Sequence, residues 1–73
     1  MDDPDRLKIA VMQMLEHNET HIEKYEKWVS LATKNRLDDV AAFLDKAKQC
    51  AESEKDALRK ALEHISSSAN VNP

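Results

Sequence analysis

The chain has 73 residues, a formal charge of −3 at pH 7, no glycine and 34% charged residues. That length supports one small domain with too little buried surface for a deep enclosed active site. Without glycine the phosphate-cradling loop, the dinucleotide fingerprint and the strained nucleophile elbow are all excluded. Intermixed charges offer no basic face for nucleic acid. A mean hydropathy of −0.70 gives no expectation of a membrane span or secretory signal. A single cysteine cannot form an internal disulfide, so a reducing, cytoplasmic setting is expected.

The first predicted element opens at Asp3-Pro4-Asp5, an acid ahead of a proline in the first helical turn. Leu7, Val11, Met14, Asn18, His21, Tyr25, Trp28 and Ala32 then recur at alternating spacings of four and three, the period of an amphipathic helix. Lys34-Asn35-Arg36 is its expected end, with Asn35 suited to the left-handed cap. Leu37-Asp38-Asp39 announces a second helix, whose stripe runs Leu37, Val40, Leu44, Ala47, Ala51, Glu54, Leu58, Leu62 and Ile65. Glu23/Lys27 and Asp56/Lys60 are spaced for ion pairs on the outer faces. The spacing therefore predicts one domain over 1–66, with helices over about 4–34 and 38–66, and a disordered tail over 67–73.

A short connection between two long helices dictates an all-α antiparallel hairpin. The stripes are wider than a two-helix seam requires, so the hairpin is expected to dimerise into a four-helix bundle. The alternative is a monomer that docks another protein. Folding the chain about Asn35 and Arg36 gathers Tyr25, Trp28 and Phe43 near the turn, where packing is their expected role. It also sets Asn18 opposite Glu54, with His21 near Ala51 and Cys50.

This polar layer is the one candidate site. His17 and His21 stand one turn apart on one helix face, the spacing that can hold a single metal ion. Glu54 adds a carboxylate from the facing helix, and Cys50, four residues before it, a thiolate. Such ligands suit zinc, nickel or cobalt better than calcium or magnesium. The competing reading is that the layer only hydrogen-bonds across the seam to fix register and oligomer state, with Cys50 a small buried hydrophobe. Catalysis is not expected. The glutamate of His17-Asn18-Glu19-Thr20-His21 stands two residues after the first histidine, where the zinc-protease motif needs one. The Glu-x-x-His of di-iron bundles is missing, and a Cys50–His21 pair has no oxyanion hole beside it. The Asn18-Glu19-Thr20 sequon falls inside a helix and is read as accidental.

Leu15-Glu16-His17-Asn18-Glu19-Thr20-His21, followed by Tyr25 and Trp28, resembles a small, poorly characterised bacterial and archaeal helical-hairpin family. That family carries a His-Asn-x-x-His segment and an alanine-rich second helix, and the resemblance extends over about 7–65. Its modules are sometimes joined to nickel-handling accessory proteins of carbon monoxide dehydrogenase. The resemblance implies His17 and His21 as metal ligands and Asn18 buried between the helices. Relatives carry a further histidine where this chain has Gln13, and a neutral amide is a poor ligand for a soft metal. The combined expectation is a small cytoplasmic homodimer, not an enzyme, that binds zinc or nickel or else docks a protein partner.

Overall fold

The computed structural model describes residues 3–71, and the surroundings of side chains over 3–65. Two helices account for the fold: α1, Asp3–Lys34, and α2, Asp38–Val71. They pair antiparallel along a rod of 59 × 17 × 12 Å. No helix among the described residues is long and apolar enough to cross a membrane.

α1 begins with Asp3 and Asp5 in its first turn, where their charge meets the exposed amides. At its other end the chain reverses through a paired capping motif. The Leu37 amide donates to the Ala32 carbonyl at 2.9 Å and the Arg36 amide to the Thr33 carbonyl at 3.0 Å. The residue in the left-handed conformation is Arg36, with φ of 60°, and not Asn35 as its residue type suggests. Asn35 serves the cap differently, its side-chain Nδ2 donating to the Leu31 carbonyl at 2.8 Å. A side chain at positive φ crowds its own backbone, so Arg36→Gly is expected to stabilise the hairpin by about 0.5–1 kcal/mol. Thermal unfolding checks this, and a variant that melts below the parent contradicts it.

α2 continues to Val71, past residue 66 where the loss of apolar period suggests an end. Apolar periodicity reports packing, whereas helix propagation needs only the absence of a breaker, and Ser66–Val71 contains neither glycine nor proline. Of the segment expected to be disordered, residues 72 and 73 lie outside the described residues.

The seam is narrow. Val11, Ile22, Ala32 and Ala51 are its buried apolar residues, and no side chain among those described is completely buried. The aromatics do not form the packed cluster expected near the turn. Phe43 is 71% exposed and Trp28 49%, while only Tyr25 is half-buried. Lys27 stands over the Trp28 ring at 5.5 Å instead of pairing with Glu23. Among the described residues the ion pair that forms is Arg6–Asp3 at 3.9 Å, and the expected Asp56/Lys60 pair is not made. Long exposed side chains gain little by surrendering rotamer freedom to such pairs.

Candidate functional site

Halfway along the rod the apolar seam is interrupted. Asn18, on the inner stripe of α1, is 5% exposed and is the buried polar residue of the described chain. Its Nδ2 donates across the hairpin to the Ala51 carbonyl at 3.0 Å. That partner can only accept, which fixes the orientation of the carboxamide and turns Oδ1 away from it. Oδ1 has no hydrogen-bond partner. An unsatisfied buried carbonyl oxygen costs about 1–3 kcal/mol, so this atom needs an explanation.

The layer that Asn18 belongs to is the candidate site. Asn18 and Ala51 belong to the wall of an open groove of ≈ 550 Å³, which is also lined by Met14, His17, His21, Tyr25 and Glu54. Residues at i and i+4 share a helix face, so His17 and His21 stack along the groove's α1 side. Antiparallel pairing supplies Glu54 from α2. The His21 and Tyr25 rings lie 6.3 Å apart at 32°, which gives the His21 imidazole an aromatic neighbour on the seam side. A second groove, lined by Glu16, Thr20 and Lys24, has Gln13, His17 and His21 in common with the first. Both histidines are exposed and border the two hollows.

His17, His21 and Glu54 thus line one open groove, which Cys50 does not. Cys50 is exposed, contrary to its reading as a small buried hydrophobe, and it does not line this groove. Standing one residue before Ala51, it is turned about 100° out of the seam. No three His, Cys, Asp or Glu side chains among the described residues gather closely enough to hold a metal ion.

Two features of the site were not foreseen from spacing. Asn18 is level with Ala51 instead of Glu54, and Tyr25 lines the polar groove instead of packing at the turn. The signal for the first was present, since Asn18 is the one amide on the α1 stripe.

Residues 7–65 match the family described as a domain of unknown function (DUF8180). No curated protein and no solved structure matches the chain.

Proposed function

The chain belongs to the DUF8180 family, and we propose that it is a non-catalytic, transition-metal-binding helical module of the cytoplasm that works as a pair of hairpins. His17, His21 and Glu54 are the ligands of the proposed site, and zinc or nickel the ions that fit them. The observation that carries the reading is their common groove, which Asn18, buried and with an unpartnered Oδ1, also lines. Two imidazole nitrogens and one carboxylate match the donor set of three-ligand zinc sites, which keep a further position open. In this reading an imidazole N–H that turns toward Asn18 would give the unpartnered Oδ1 a donor, the outer support that ligating histidines characteristically have. Cys50 stands outside this ligand set. The resemblance to hairpins joined to nickel-handling proteins makes nickel the first ion to add.

Thermal unfolding with added nickel, zinc or cobalt tests the reading. An ion that binds the folded state stabilises it by mass action, about 2.7 kcal/mol when present at a hundred times its Kd. That gain is expected for the parent protein, to vanish in His21→Ala, and to shrink in acid, where protons compete for imidazole nitrogen. If none of the three ions raises the melting temperature at neutral pH and the purified protein carries no metal, the reading fails. The Asn18–Ala51 bond favours the second reading in that event: a protein-interaction module whose polar layer sets helix register.

A further inference from the structure

One flank of the hairpin is apolar and uncovered. Trp28, Leu31 and Val40 line a groove at its turn end, Met14 lines the groove of the polar layer, and Leu7 and Ile65 line another at the open end. Leu7, Met14, Trp28, Leu31 and Val40 are each 45–57% exposed. Phe43 stands eleven residues before Glu54 and Ala61 seven after it, both whole numbers of turns, so they share that flank. By the same periodicity the opposite flank presents Glu19, Glu26, Lys48, Glu52 and Arg59, and suits water.

We infer that a second copy of this chain covers the apolar flank, packed antiparallel about a two-fold axis at the level of the Asn18–Ala51 bond. The inference rests on the paired hairpin proposed above and fixes which face pairs and in what register. The first argument for a copy is need. With no completely buried side chain among the described residues, the hairpin lacks the core that small domains require, so its partner must be constantly present, as another copy of itself is.

The second argument is self-complementarity. At 1.5 Å per residue Phe43 lies about 12 Å to the turn side of the Ala51 level. The two-fold carries it about 12 Å to the open side of the other copy. There Ala57 and Ala61, one turn apart on α2, leave space for a ring, with Ala10 level on α1. Trp28 likewise falls against Leu7 and the small Ala61. The third argument is charge: the imidazoles and carboxylate that line the groove at the centre of the flank are His17, His21 and Glu54. The same axis sets His21 of each copy level with Glu54 of the other, so each polar layer is completed from across the interface.

Sedimentation in the presence of a chelator tests the face without reference to metal. The parent is expected to be a dimer at micromolar concentration. Phe43→Glu and Ala57→Glu should each weaken it at least tenfold, while Met12→Glu, on the opposite flank and 50% exposed, should not. Circular dichroism confirms that each variant remains helical, and two separate variants guard against one that fails to fold. Register is read by cross-linking in a Cys50→Ser background. Phe43→Cys chains mixed with Ala61→Cys chains should form a 43–61 disulfide, and Phe43→Cys chains alone none. A dimer indifferent to both glutamates, or one linked 43–43, overturns the face or the register while leaving the pairing intact. A monomeric parent overturns the pairing itself.

Discussion

Replacing Asn18 by aspartate is expected to cost the hairpin at least about 3 kcal/mol at neutral pH, enough to unfold much of a protein this small. Aspartate keeps the volume of asparagine but removes its donor. The Ala51 carbonyl would then face a second acceptor, in a position only 5% exposed. A carboxyl buried there titrates above its unfolded value of about 3.9. The deficit is accordingly small in acid, where the protonated group can donate to Ala51. It grows as pH rises through the unfolded value and is complete above the folded one. Asn18→Leu is the informative contrast. It removes the unpartnered Oδ1, and the Ala51 carbonyl remains within its own helix, so stability should hold or rise. Urea unfolding of both variants between pH 4 and pH 8 measures the difference. A small, pH-independent deficit for Asn18→Asp would mean that water reaches the amide.

The second large effect is expected at Ile22. Trimming it to alanine removes three carbons from a seam whose buried apolar residues are few, at a cost of about 2–4 kcal/mol. Ile9 supplies the control, because the same truncation there removes a side chain that is already 43% exposed. Ile9→Ala should change stability by less than about 0.5 kcal/mol, the usual range for exposed sites. Chemical denaturation of the pair at one pH decides the matter. Equal losses would contradict the placement of Ile22 in the seam and Ile9 outside it.

The antiparallel hairpin was legible because its signal is redundant. Alternating spacings of three and four from Leu7 to Ala32 and from Leu37 to Ile65 specify two helices, and a few residues between them permit only one reversal. The turn was harder to read. The left-handed residue was assigned by side-chain type to Asn35, yet the capping geometry requires it one position later, whatever residue stands there. Phe43 shows the limit of reading a stripe as a core. Spacing places a residue within a sector of the helix, but a seam as narrow as this one covers only part of that sector. That His17, His21 and Glu54 line one groove follows from i,i+4 geometry and a coarse register, which spacing does resolve. The match of Asn18 to Ala51 depends on an offset of less than a turn, which counting from the reversal does not resolve.

The arrangement of a single seam leading away from a single turn also orders the closing of the chain in time. Each successive layer completes a longer loop than the last, and each doubling of loop length adds about 0.6 kcal/mol of closure entropy. The Ala32–Leu37 bond closes first and at least cost, and Asn18 and Ala51, 33 residues apart, close midway. Leu7 and Ile65 meet last. The hairpin therefore shuts as a zipper with one polar tooth at its middle. It reopens from the free ends, the last layers to form. His17, His21 and Glu54 sit at the boundary between the half that closes early and the half that closes late. Anything bound in that layer clamps the zipper where it would otherwise begin to slide.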